Sequence, residues 1–190
     1  MSTPRPGWTT TSLVALASAS VPALFPPPAQ AAQYMSVEQA QKAAFPEADR
    51  FETRNLRLTP EQIKALDGVA SVRQRGEIRR IDAWAGNKQL GTIYVDDVIG
   101  KVEWVTYAVA LSTDGSVRAL DILEYSETNG YEVRTPSWRK QFAGRRADVP
   151  FHFGEDIKNI SGATLSCAHL TAGVQRLLAL HAQLSGTGNR

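Results

Sequence analysis

The chain has 190 residues, 43% hydrophobic and 21% charged, a mixture that supports one packed domain and leaves little room for a second. Lys and Arg number 21 against 19 Asp and Glu, so the net charge of +2 supplies no general pull toward nucleic acid or anionic lipid. A single cysteine, Cys167, excludes an internal disulfide, a cysteine-rich zinc site and an iron–sulfur cluster.

Arg5 is the one charge in residues 1–31, and an apolar run over 13–25 follows it. Pro26, Pro27 and Pro28 end the run, and Ala29-Gln30-Ala31 has the small-x-small pattern of a signal-peptidase site. A spanning helix needs about 20 apolar residues, and this run is shorter and interrupted by Pro22. The expectation is an export signal over 1–31, cleaved after Ala31, that delivers a mature protein without a membrane span to the periplasm. No cysteine directly follows the run, so no lipid anchor is expected there.

Ser36-Val37-Glu38-Gln39 and Thr59-Pro60-Glu61-Gln62 are both capping-box patterns, the second with proline at the first helical position. They predict an N-terminal helical pair over about 35–68. From about 77 to 124 the pattern changes to strands, with turns at Gly86-Asn87, Gly100 and Asp114-Gly115. The strand over 102–111 is apolar on both alternate faces, so it is expected to be covered on both sides. A short helix over 137–142 should end near Gly144. A long one over 164–184 carries Leu170, Val174, Leu177, Leu178 and Leu184 in one stripe. The predicted fold is α+β: a meander of about four antiparallel strands packed against helices, forming one domain over 32–184 with a fraying tail over 185–190.

The sharpest local signal is Ser161-Gly162-Ala163-Thr164, directly ahead of the long helix. Ser161 can cap, Gly162 admits close backbone approach, and Thr164 presents a hydroxyl in the first turn. Amides at a helix start, aided by the helix dipole, suit a phosphate. A second segment, Glu127-Thr128-Asn129-Gly130, lies at the end of the fourth expected strand.

Together these segments resemble the FMN-binding domain family, which includes exported flavin domains of sodium-pumping NADH:quinone reductase and of the Rnf complex. The first is similar to the family's flavin-attachment motif. The second is similar to its Glu-Thr-Pro-Gly turn, with Asn129 in place of proline. The resemblance covers roughly 91–180 and implies that FMN is held by its phosphate, often as a phosphoester on the threonine made by a flavin transferase. Carried onto this chain, Thr164 is the attachment site. Ser161, Gly162 and Ala163 line the phosphate, with Leu165 beside them, and Glu127, Thr128 and Gly130 lie near the ring or ribityl chain. The family motif usually has aspartate three residues before the serine. Here that position is Lys158, which suits the phosphate of non-covalently held FMN, and Asp156 lies two residues too early.

The resemblance implies an electron carrier or redox subunit with a membrane-bound or soluble redox partner, because flavin chemistry belongs to the cofactor. No acid–base pair with convincing spacing stands out, and no nucleic-acid role is expected. The alternative is a docking module of the same fold without flavin, using the basic cluster Arg139, Lys140, Arg145 and Arg146; a solvated face is the simpler reading of that cluster. Cys167 and His169 are about 200° apart on a helix and His181 is about 21 Å from Cys167 along its axis, so no shared metal is expected. Cys167 reads as buried packing, His181 as a hydrogen-bonded core histidine, and Trp138 with Phe142 as core aromatics.

Overall fold

The computed structural model describes residues 32–73 and 76–187. The expected export signal and residues 188–190 lie outside the described residues. In chain order the elements are β1 (Ala32–Gln33), α1 (Val37–Ala44), β2 (Arg50–Leu56), α2 (Pro60–Val69), β3 (Ile78–Ala85), β4 (Lys88–Ile99), β5 (Trp104–Ser112), β6 (Val117–Tyr125), α3 (Pro136–Arg139) and α4 (Thr164–Thr187). The strands form one antiparallel sheet in the order β1-β6-β5-β4-β3-β2. The fold is α+β, as the alternating strand patterns and the long helical stripe predict.

Alternation along β5 divides the core into two clusters. Val105, Tyr107, Val109 and Leu111 face α4, where Leu170, Val174, Leu177 and Leu178 cover them. Ala108 and Ala110 point the other way, toward Ala40, Ala44 and Phe45 at α1. From Trp104 onward the doubly apolar strand is covered on both sides, as expected, whereas Val102, expected within it, lies in the preceding turn and is exposed. Large residues fill the α4 face, whereas alanines on the other admit a small helix.

Both capping boxes form as expected, with Gln39 N donating to Ser36 Oγ at 3.2 Å and Gln62 N to Thr59 Oγ1 at 3.3 Å. The helices are not a pair, however. The edge strand β2 separates them; α1 belongs to one face of the sheet, while Leu66 of α2 joins the α4 face. Arg176 of α4 ties α2 down by pairing with Asp67 and donating to Ala70 O at 3.1 Å. β2 reads Arg-Phe-Glu-Thr-Arg-Asn-Leu with only Phe51 and Leu56 partly buried, so it has no apolar alternation to reveal it. Its backbone pairing with β3, from Arg50↔Trp84 to Leu56↔Ile78, makes it a strand.

Under α4 the Tyr107 hydroxyl donates to buried Asp96 at 3.1 Å, and a Cβ at Gly173 would overlap that hydroxyl. Burial pushes the Asp96 carboxyl up to about 7. The predicted short helix becomes α3 followed by a 3-10 turn, Lys140–Phe142, ending at Gly144 with φ +78°. At the far end α4 continues through Ser185 to Thr187, so these residues are helical and not a frayed tail.

Candidate functional site

The segment before α4 is a tight turn. Ala163 N donates to Ile160 O at 3.0 Å, and Gly162 has φ +82°, a left-handed conformation that favours glycine. The first helical bond runs from Cys167 N to Ala163 O at 2.9 Å. Ala163 therefore occupies the cap position, and Ser161, exposed and two residues earlier, does not cap the helix. The physical reason is the turn itself: the left-handed Gly162 delays the helix by two residues. An alanine cap has no side-chain oxygen for the amides of 164–166, which helix geometry leaves without intrahelical partners. The Thr164 hydroxyl is exposed and accepts a hydrogen bond from Asn159 Nδ2 at 3.0 Å.

Opposite stands the segment after β6. The Tyr125 hydroxyl donates to Asn129 O at 2.6 Å and lies 3.3 Å from Ser166 Oγ, joining this segment to the first turn of α4. Burial raises the Tyr125 pKa, so its hydroxyl stays protonated. Gly130 has φ +86° and packs directly on Ala163; a Cβ there would overlap that of Ala163 and lie 2.7 Å from the Tyr125 hydroxyl. These contacts press the two sequence motifs together.

A third wall is the β4–β5 turn, 100–103. Glu127 Oε1 accepts from Val102 N at 2.6 Å and Glu103 N at 3.0 Å, so a side chain from one motif holds this turn. Gly100 leaves room for that carboxylate, since a Cβ would lie 2.5 Å from Glu127 Oε1. His169 of α4 adds a hydrogen bond from its Nδ1 to Ile99 O at 2.7 Å.

The three walls enclose a cavity of about 350 Å³. Glu127, Thr128, Gly162, Ala163, Thr164 and Leu165 meet there, drawn from two segments more than thirty residues apart. Three other expected site residues lie elsewhere. Gly130 is buried behind the wall, Ser161 is outside it, and Lys158 lines a separate open depression with Trp138 and Gln141. Lys158 N donates to Gln141 Oε1 at 2.8 Å and its carbonyl accepts from Trp138 Nε1 at 2.8 Å, which fixes this stretch away from the cavity. Asp156 is held by His152 N at 2.8 Å and Arg145 at 3.4 Å, well apart from the helix start in hydrogen bonding. Lys101 and Val102 also line the cavity, and no sequence signal marks them. Gly100 marks a turn, but nothing local relates it to residues 127 or 164.

The remaining candidates are structural. Cys167 is fully buried and its thiol is raised by burial. Among the described residues no cluster of three metal-ligating side chains occurs. His181 is half-buried, with Nδ1 3.1 Å from the Tyr94 hydroxyl, and burial lowers its pKa. Trp138 and Phe142 are buried edge to face at 5.1 Å between centroids.

The cavity volume falls within the range of about 300–1,000 Å³ usual for small-ligand sites. It combines uncapped helix-start amides, an exposed threonine hydroxyl and a glycine whose front is open, with nothing within 4 Å of an added Cβ. These groups fit a phosphate-bearing cofactor entering on the α4 side, with apolar and polar groups across from it. The class so defined is an α+β domain with a cavity at a helix start that suits a phosphorylated cofactor.

Residues 100–179 match the pattern of the FMN-binding domain family. FMN is therefore the cofactor. The chain is also 34% identical over 139 residues to a subunit of the Na(+)-translocating NADH-quinone reductase of Vibrio alginolyticus, covering 63% of this chain and 52% of that protein. The chain thus spans about half the length of the curated relative it matches. The family match begins at the β4–β5 turn and includes both motifs, so all three cavity walls lie within it.

Proposed function

We propose that this protein is an exported electron carrier that holds FMN in the cavity between the Thr164 helix start and the Glu127 turn. The observation that carries the reading is the shared cavity: the exposed Thr164 hydroxyl, at an uncapped helix start, opens into the same space as Glu127 and Thr128. The amides of 164–166 bind the phosphate, and the dipole of the 24-residue α4 favours the negative charge there. Glu127 holds the opposite wall in place, and Tyr125 stops the two walls from separating. When bound, FMN supplies the electron-accepting ring.

Covalent attachment is at Thr164. A flavin transferase forms the bond from Thr164 Oγ to the flavin phosphorus, the bond from that phosphorus to the remainder of a flavin dinucleotide breaks, and the hydroxyl proton leaves. The Asn159 amide donates to Thr164 Oγ1, so the hydroxyl proton remains free to depart in that step. Lys158 stands where the family motif usually has aspartate, and it lies outside the cavity; attachment here proceeds without an acidic residue at that position.

The likeness to a subunit of a sodium-translocating reductase supports a membrane-bound redox complex as the partner. No helix among the described residues is long and apolar enough to cross a membrane. In this reading the export signal expected over 1–31 delivers the chain to the periplasm.

The test is expression with a flavin transferase in a periplasm-exporting host. The isolated protein is expected to be yellow, to begin at Ala32, and to keep after denaturation an added mass of FMN less one water. Thr164→Ala is expected to lose that mass. A colourless protein that takes up no added FMN overturns the reading; flavin that dissociates fully from the denatured wild type overturns its covalent part.

A further inference from the structure

The β4–β5 turn carries an anomaly. Val102 is 68% exposed, although the turn around it is held by three separate anchors: Glu127, His169 and the bond from Gly100 N to Glu103 O at 2.7 Å. Beside it Lys101 is the one cation among the described residues lining the cavity. A rigid turn that presents an apolar side chain and a cation to a ligand cavity is built to meet something there.

If the phosphate occupies the helix-start wall, the ring must extend across the cavity to the wall formed by Glu127, Lys101 and Val102. Leu165, 45% exposed at the first turn of α4, supplies a second apolar surface. Two-electron reduction of FMN takes up two electrons and one proton and leaves the ring carrying a negative charge. A fixed carboxylate at Glu127 opposes that charge, and a cation on the neighbouring turn offsets it.

We propose that the β4–β5 turn is the ring-binding wall, in which Val102 packs on the flavin ring and Lys101 raises its midpoint potential by stabilising the reduced anion. This rests on the reading that FMN is anchored at Thr164. Lys101 acts on the ring, not the phosphate, because it stands on the turn that Glu127 holds, whereas the anchoring amides belong to α4.

The test is a redox titration of the FMN-loaded protein with dithionite and mediators, comparing wild type, Lys101→Gln and Lys101→Arg at low and high salt. Lys101→Gln is expected to show a lower midpoint potential than wild type at low salt, read on the flavin-loaded fraction of each protein. The difference should shrink at about 1 M salt, where the screening length is about 3 Å, and Lys101→Arg should restore the wild-type value. Equal potentials for wild type and Lys101→Gln at low salt overturn the role of Lys101. Val102→Trp, made at an exposed position, is expected to quench flavin fluorescence by direct stacking; unchanged fluorescence overturns the ring placement. Failure of the underlying reading looks different. There Thr164→Ala leaves both the flavin content and the denatured mass unaltered, and the proposal falls with it.

Discussion

Two regions of this molecule are dense in groups able to bind an anion, and they differ in what those groups already hold. Around Arg139–Arg146, Arg139 pairs with Asp121 and donates to Leu120 O at 2.7 Å and Arg134 O at 2.8 Å. Arg145 reaches Asp156 at 3.4 Å and lies over the Phe151 ring, and Arg146 reaches Asp114 and Asp148 at 3.1 and 3.0 Å. At the start of α4 there is no Asp, Glu, Lys or Arg within 159–171, yet the amides and the Thr164 hydroxyl face a cavity. The three arginines of the charged region are engaged within the fold, whereas the uncharged region is open to a ligand. Density of charge is thus a poor guide to an anion site; what matters is which donors the fold leaves unsatisfied.

The largest expected effect comes from the open corner. Gly130→Val adds a strained left-handed valine and a side chain into Ala163, and should destabilise by about 3–4 kcal/mol. Urea denaturation measures the loss, and flavin content should fall with it, since the two motifs no longer meet. Next is Arg139→Met in the charged corner, which leaves Asp121 largely buried without its partner and should cost about 2–3 kcal/mol. Here flavin content should stay at the wild-type level; a parallel loss would break the distinction between the two corners.

A smaller effect is expected for Gly162→Ala. Space is open at that position, so only the positive φ is penalised, by about 1 kcal/mol. Its value is in the affinity: a displaced helix start should weaken FMN binding severalfold by fluorescence titration, and unchanged affinity would remove the turn from the site. Arg146→Ala stands last, because its partners Asp114 and Asp148 are well exposed. Thermal unfolding and flavin content should both remain unchanged, and loss of flavin would reopen the basic patch as a ligand site.

Much of this is legible along the chain because it is written in short-range patterns. The capping boxes at Ser36 and Thr59, the turns at Gly86-Asn87 and Asp114-Gly115, the stripe of α4 and the two motifs each occupy a few residues. β2 is not legible, because a mostly exposed edge strand is decided by backbone pairing with β3 and not by apolar alternation. Ser161 reads as a cap but is not one, because a capping residue and a turn residue share the same side chain; the conformation of Gly162 separates them.

The amino-acid sequence on its own determined the α+β class and marked the two segments that meet at the cavity, since periodicity, capping and turn preference act within a few residues. Only the tertiary structure decided how those segments face one another. It set Gly130 against Ala163 as a spacer, moved Lys158 out of the cavity, and brought Lys101 and Val102 in through the grip of Glu127 on a turn 25 residues earlier. Such contacts join residues distant in the chain, and their strength depends on geometry that no local pattern records.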